Sequence, residues 1–380
     1  MKVLLIGGTG ILSTDIVEES LNRNYDVYII NRGHRNNSVD KRVKIIIGDI
    51  RNTEQIKQKL EKEKFDVVID FLSFNKKQLK NTLSIFKDKC NQFIFISSAT
   101  AYRDTKRGEL ITESIKLRDD GWDYANEKIE CEELLKENYK KNKQSYTIVR
   151  PYITYSERRI PFVIIPDEQW TLANRILMEK PILLWDGGKA VCTLTYTKDF
   201  AKGIVGLFKN PKAYQENFHI TTDYTLTWRE AVEAIGKAIG KKPVIADVPS
   251  EYIIKYLTEY KDMLYGIGTI DRRFDNTKIK EVVPDFNAQT KFEDGIKETI
   301  KYYNEHTEMK KVNYLWDARI DGLIDKYYKS IKKKDYDRTK LTLKSYKNKL
   351  GMKQKIKYLS ARNIDLYNLL KKAKYIIKRR

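Results

Sequence analysis

Short apolar runs alternate with polar, helix-length segments from the first residue onward. Val3–Ile6, Val27–Ile30, Val43–Ile47, Val67–Asp70 and Phe93–Ser97 read as buried strands, rich in Val and Ile. Thr14–Asn22, Glu54–Lys62 and Lys76–Lys87 read as the helices between them, and a helix over Trp122–Lys136 leads to a strand at Tyr146–Arg150. Fully apolar strands separated by helices predict a parallel sheet covered on both faces, with right-handed crossovers: a doubly wound α/β domain. After Pro151 the pattern loosens. Ile182–Trp185, Cys192–Tyr196 and Phe218–Thr221 look like strands, and Trp228–Ile239 and Phe292–Tyr303 like helices, in a smaller α/β lobe interleaved with returns to the first sheet. Beyond residue 310 come three helix-like stretches, Tyr314–Ile331, Asp335–Leu350 and Met352–Lys378, the last two separated by Gly351. The expected division is 1–160 with returns over 190–222, then 161–310, then a helical extension over 311–380.

Composition narrows the class. With 41% hydrophobic and 33% charged residues the chain is that of a globular protein, not a disordered one. Cys90, Cys131 and Cys192, and His34, His219 and His306, are scattered, so neither a disulfide frame nor a metal site is expected. The start, Met-Lys-Val-Leu-Leu-Ile, is too short an apolar stretch for a signal peptide, and no run is long enough to span a bilayer. A cytoplasmic protein is expected, peripheral to the inner membrane face if its tail binds lipid. The formal charge of +21 is unevenly placed: residues 311–380 hold 22 Lys+Arg against 6 Asp+Glu and carry +16 of it. The basicity belongs to the tail, and the body is only mildly basic.

The first chemistry lies in Val3-Leu-Leu-Ile-Gly-Gly-Thr-Gly-Ile-Leu-Ser13, where a buried strand enters a glycine turn and leaves as a helix. Gly7 permits the tight turn and Gly10 lets backbone approach a pyrophosphate. The helix N-terminus offers free N–H groups and the positive end of its dipole. Ser13 stands where a third glycine is usual. After the second strand, Asn31-Arg32-Gly33-His34-Arg35 has two arginines and no carboxylate, which tilts the choice toward NADP over NAD, with Arg32 equally suited to a solvated loop. Asp49 in Gly48-Asp49-Ile50 suits either an adenine amino group or a turn or helix cap.

The second lies in Ser97-Ser98-Ala-Thr100-Ala-Tyr102 at a strand end, followed by Tyr124-Ala-Asn-Glu-Lys128. The i, i+4 spacing puts phenol and ammonium on one helix face. A tyrosine of pKa about 10 is a poor base at neutral pH, and a neighbouring cation favours its phenolate. Ser98 is placed to orient a substrate hydroxyl. The same spacing recurs at Tyr139/Lys143, Tyr328/Lys332, Tyr336/Lys340 and Tyr367/Lys371, so context, not spacing, singles out Tyr124/Lys128.

Gly7-Gly8-Thr9-Gly10-Ile11-Leu12, Gly48-Asp49-Ile50, Ser97–Tyr102, Tyr124…Lys128 and Arg150-Pro151 together resemble the motifs of extended short-chain dehydrogenases/reductases, the NAD-dependent epimerase/dehydratase family. The resemblance covers roughly residues 1–310. It implies a Rossmann domain binding NAD(P), with a C-terminal lobe holding a nucleotide-sugar. Ser98, Tyr124 and Lys128 then match the catalytic triad. Gly7, Thr9, Gly10, Ile11, Leu12, Asn31, Arg32, Asp49, Ile50, Phe71, Leu72, Tyr124, Lys128 and Pro151 match the cofactor site, and Thr100 and Arg150 are candidates for substrate contact. Ala99-Thr100 replaces the Asp-Glu pair of sugar dehydratases, as in sugar 4-epimerases, and disfavours dehydration. Asn31-Arg32-Gly33 and Phe65–Asp70 resemble an atypical branch that includes chloroplast proteins binding RNA stem-loops. The Asn and Gly usual after the sixth strand are missing from Pro151–Tyr155.

The main expectation is a sugar 4-epimerase or ketoreductase, dimeric in the manner of the family. The alternative is an RNA-binding or regulatory protein whose tail tracks phosphates and stacks bases on Tyr327, Tyr328, Tyr336, Tyr346, Tyr358, Tyr367 and Tyr375. Two further uses of the tail are attachment to anionic lipid, which suits an enzyme of surface-polysaccharide assembly, and a solvated or subunit-packed appendage.

Overall fold

The computed structural model describes residues 1–36, 39–346 and 350–378. Two compact units emerge: Met1–Ser156 with Thr193–Thr225 and Arg272–Lys291, and Glu157–Cys192 with Leu226–Asp271 and Phe292–Arg380. This division differs from boundaries at 160 and 310: the first unit also takes in 272–291, and residues 311–380 share a unit with the smaller lobe.

The first unit is built on β1 (Lys2–Ile6), β2 (Asp26–Asn31), β3 (Lys44–Ile47), β4 (Phe65–Asp70), β5 (Cys90–Ile96), β6 (Ser145–Val149) and β7 (Glu216–Phe218). They form one sheet in the order β7-β6-β5-β4-β1-β2-β3, every pairing parallel. Helices α1 (Ile11–Asn22), α2 (Thr53–Lys59), α3 (Lys76–Phe86) and α4 (Asp123–Asn142) connect them. Alternate residues of the central strands feed two cores. Val3, Leu5, Val67 and Ile69 pack with α1 and the helix Thr197–Gly206, while Leu4, Ile6, Val68 and Phe95 pack with α2, α3 and α4. Burial on both faces accounts for the unbroken apolar runs of the central strands, whereas the edge strand β3, expected to be buried, pairs only with β2 and leaves Ile45 and Ile47 exposed.

Four expected elements end up otherwise. Cys192–Tyr196 is not one strand: Val191–Cys192 pairs antiparallel with Leu226–Thr227, and Thr195–Tyr196 pairs parallel with Thr154–Tyr155. The strand placed at Phe218–Thr221 ends at Phe218, where the next amide, His219 N–H, leaves the ladder for the Glu113 carboxylate. Asp335–Leu350 forms two 3₁₀ turns, Arg338–Leu341 and Leu343–Tyr346, joined by an extended Thr342. Asp337 caps the first turn by accepting from Thr339 N–H. Residues 347–349 of that stretch lie outside the described ones. Met352–Lys378 breaks into α6 (Met352–Arg362) and α7 (Ile364–Lys378), because Asn363 leaves helical geometry and its side chain caps Leu366 N–H.

In the second unit α5 (Tyr314–Ser330) carries half of the tail's acids into the interior. Asp317 and Asp321, one turn apart, face Arg175 Nη1 at 2.6 and 2.9 Å. Lys180 pairs with both carboxylates, and Tyr346 and Tyr358 donate their hydroxyls to Asp317 and Asp321. All of these groups are buried. The tail is therefore not an appendage, and Tyr346 and Tyr358 are core residues closed to base stacking. Among the described residues no helix is long and apolar enough to cross a membrane.

Candidate nucleotide-binding and catalytic site

Because β1 to β6 run parallel, the residues following them collect along one edge of the sheet, where ligands bind in such folds. Gly7 leaves β1 with φ +94°, a conformation L side chains rarely adopt. A Cβ on Gly7 would lie 2.9 Å from Leu72 Cγ, and one on Gly8 would lie 2.4 Å from Ile29 Cγ2. The turn is thus glycine on both sides for different reasons: Gly7 for its backbone angle and Gly8 for close packing on β2. The pattern did not single out Gly8, since only the tertiary approach of Ile29 requires it. Gly10 is the N-cap of α1, and Thr9 N–H donates to Gly7 O over 2.9 Å. Ser13 is more than a small substitute for glycine. Its hydroxyl donates to Gly7 O and accepts from Gly10 N–H, both at 2.8 Å, which locks the turn to the first helical turn. The first-turn amides, those of Ile11 and Leu12 among them, have no partners within the helix and carry its positive dipole end. No acidic side chain occupies that turn. A glycine cradle that a Cβ would fill, facing a helix N-terminus, fits a pyrophosphate.

At the next strand ends the assignments divide. Asn31 spends its side chain on its own loop, accepting from Gly33 N–H and donating to Asn36 Oδ1, each at 2.8 Å. Arg32 beside it is exposed. Asp49 accepts from Arg51 N–H at 3.0 Å in a turn, and the N-cap of α2 is Asn52 instead. The Ile50 side chain is core. Phe71 is half-buried, and Leu72 is exposed over Gly7.

The catalytic candidates meet at the ends of β4 and β5. Ser98 accepts from the Thr100 hydroxyl at 2.9 Å and Thr100 N–H at 3.2 Å, and stands close enough to Tyr124 to favour its phenolate. Burial pushes the Tyr124 phenol above its usual pKa, and the Ser98 hydrogen bond pulls the other way. The Lys128 ammonium is buried and donates to Ser73 O and Ile96 O, each at 2.9 Å, between the rings of Phe74 and Phe95. Burial pushes Lys128 down, opposed chiefly by the charge of Asp70. Asp70 is itself fully buried at the end of β4. Its Oδ1 accepts from Leu72 and Ser73 N–H, while its Oδ2 lacks a hydrogen-bond partner among the described residues. Burial raises the Asp70 pKa. The sequence marks Asp70 as the end of a strand and of the Phe65–Asp70 stretch, not as a site residue. A carboxylate closing an apolar run was the available signal.

Thr100 and Arg150 serve the protein rather than standing free for a substrate. Thr100 holds Ser98, as described. Arg150 is buried, its Nε bonded to Glu132 Oε1 at 2.9 Å and its Nη1 to Asn217 Oδ1 at 2.9 Å. Ser97 donates to the same Glu132 carboxylate at 2.6 Å, so of the two strand-end serines only Ser98 faces Tyr124. Pro151 is buried, with its carbonyl accepting from Ala99 N–H at 2.9 Å.

Residues 3–221 match the model of the NAD dependent epimerase/dehydratase family. The chloroplast stem-loop binding protein of 41 kDa b from Arabidopsis thaliana is 25% identical over 252 residues, 63% of either chain. A bifunctional UDP-glucose 4-epimerase and UDP-xylose 4-epimerase from Pisum sativum is 23% identical over 290 residues, 63% of this chain and 82% of the relative. Among solved structures, a UDP-glucose 4-epimerase from Thermus thermophilus in complex with NAD superposes with a TM-score of 0.65 at 19% identity, over 80% of this chain and 99% of that one.

Proposed function

The chain belongs to the NAD dependent epimerase/dehydratase family, and from that membership we propose that it is an NAD(P)-dependent enzyme acting on a hydroxyl of a nucleotide-linked sugar, of the 4-epimerase or ketoreductase type. The observation that carries the reading is the placement of Ser98, held by the Thr100 hydroxyl at the end of β5, where it lowers the pKa of Tyr124, on the sheet edge that also holds the Gly7–Gly10 turn. Gly7, Thr9, Gly10 and the first amides of α1 would hold the pyrophosphate, with Leu72 against the same turn. Exposed Arg32 is the residue that favours a 2′-phosphate. Bound nicotinamide supplies a hydride acceptor and donor.

The protein's own part is proton handling and placement. Tyr124 holds a proton at its hydroxyl, ready for a keto-sugar oxygen in the reducing direction, and takes it back in the oxidising one. Ser98 fixes the hydrogen-bond geometry, and Thr100 fixes Ser98. Lys128 and Asp70 are both buried near the strand ends. Lys128 lends a positive field there while the carbonyls of Ser73 and Ile96 hold its ammonium in place. Neither Ala99 nor Thr100 offers the carboxylates a dehydratase uses, which supports epimerisation or reduction over dehydration.

Titration with NADH and NADPH, followed by energy transfer from tryptophan, tests the reading, with Gly10→Asp as control. Saturable binding that the control loses is expected, tighter for NADPH. UDP-sugars are then supplied and product sugars analysed. Failure to bind either nucleotide would overturn the proposal.

A further inference from the structure

The two last helices each turn one side inward and leave a second apolar side uncovered. On α6, Tyr358 and Ala361 are buried against α5 and its surroundings. Met352, Ile356 and Leu359, spaced i, i+4, i+7 on a different side, are 72%, 61% and 56% exposed. On α7 the pattern repeats: Ile364 is buried, and Leu366, Leu369 and Leu370 are 43%, 65% and 48% exposed. Isolated exposed apolar residues need no explanation, but two such stripes on consecutive helices do.

Charge identifies what fits them. Residues 352–378 contain eight Lys or Arg and one acid, Asp365. Lys353 and Lys357 are exposed on α6, flanking its apolar stripe. Two copies of this chain meeting through these helices would bring like charges together, which disfavours a self-contact. A nucleic acid would supply the negative charge but needs exposed aromatic platforms for stacking. The exposed stripes are aliphatic, and Tyr346 and Tyr358 are buried with their hydroxyls bonded to Asp317 and Asp321. Aliphatic stripes bordered by lysines are what a helix lying in an anionic lipid interface presents: the stripe enters the acyl boundary, and the long amines reach the headgroups.

We propose that α6 and α7 form a peripheral docking surface for anionic lipid membranes. The full chain is tested by co-sedimentation with vesicles of equal phosphatidylcholine and phosphatidylglycerol, and with phosphatidylcholine alone. Binding to the anionic vesicles is expected, at least about tenfold weaker on neutral ones and falling with added salt. The variant Ile356→Ser/Leu359→Ser/Leu369→Ser changes only exposed side chains, and is expected to weaken anionic-vesicle binding on the order of a hundredfold. Its thermal unfolding is expected to be unchanged. Lys353→Glu/Lys357→Glu reads the charge separately and is expected to weaken binding as well. Equal binding to both vesicles, or no binding of the native chain to either, overturns the proposal, whatever the variants do. So does a dimer by light scattering that the triple variant dissolves, since a second copy then covers the stripes. Stem-loop RNA binding that the triple variant abolishes, without vesicle binding by the native chain, would assign the surface to RNA instead.

Discussion

Ser98 accepts from the Thr100 hydroxyl and lowers the pKa of Tyr124, and that position makes its contribution testable apart from folding. The Ser98 hydrogen bond lowers the Tyr124 pKa against the rise caused by burial. Ser98→Ala should therefore move the tyrosine-dependent limb of the kcat/KM profile to higher pH and cut the rate on the order of a hundredfold. A rate loss with an unmoved profile would assign Ser98 to substrate binding alone. His219 offers a second readout at this scale. Its Nδ1 accepts from the Tyr102 hydroxyl at 3.1 Å and its Nε2–H donates to Asp275 O at 2.7 Å. Burial pulls it from 6.5 down to about 4. A base depressed in the folded state stabilises the fold fully while neutral, above its unfolded pKa, and less as pH falls towards the folded value. Acidification from 6.5 to about 4 should thus remove ~3 kcal/mol of stability, and His219→Gln should flatten that part of the curve in denaturant melts.

Among the elements, the contact between α5 and α6 leaves the least room. A Cβ on Gly322 would lie 2.0 Å from Arg362 O, a backbone atom at the end of α6 that cannot swing aside as a side-chain tip does. Gly322→Ala should force the helices apart and cost about 2 kcal/mol or more by thermal melt, with nucleotide binding in the first unit retained. An unchanged melting temperature would mean that α6 does not stay on α5 in solution. The closing turn of α6 depends on this same contact. Arg362 donates from its Nε to Leu341 O at 2.6 Å and from Nη2 to Asp325 Oδ2 at 3.0 Å, tying the 3₁₀ segment and α6 to α5 together.

In the whole molecule, charge that looks like surface in the sequence is partly interior. Arg175, Lys180, Asp317 and Asp321 form a buried set of two cations and two acids, drawn from segments more than 130 residues apart. The two neighbouring cations keep Asp317 below its usual pKa, while burial raises Asp321 beside it. Asp317→Asn removes one partner and leaves cations short of charge in a dry site, which should cost roughly 3–5 kcal/mol in chemical denaturation. A loss below 1 kcal/mol would show that water reaches the network. Half of the tail's acids sit on α5, inside, so its exposed remainder is more basic than the composition suggests.

What the chain order alone determined is local. The apolar runs of β1 to β6, the glycine turn, the serine at the end of β5 and the Tyr124–Lys128 spacing all depend on residues near one another in sequence, where periodicity and turn chemistry act. Elements whose identity rests on distant partners were decided only in the folded chain. Cys192–Tyr196 divides because its two ends pair with different strands, and the 3₁₀ turns over Arg338–Leu341 and Leu343–Tyr346 place Tyr346 in the cluster with Ala318 of α5. The same holds for side chains. Helical spacing puts Lys128 on the Tyr124 face, but carbonyls at the ends of β4 and β5 claim its ammonium. Arg150 is claimed by Glu132, and Gly8 is required by Ile29. A buried polar group must be satisfied by whichever partner the fold brings near, and no spacing rule along the chain names that partner.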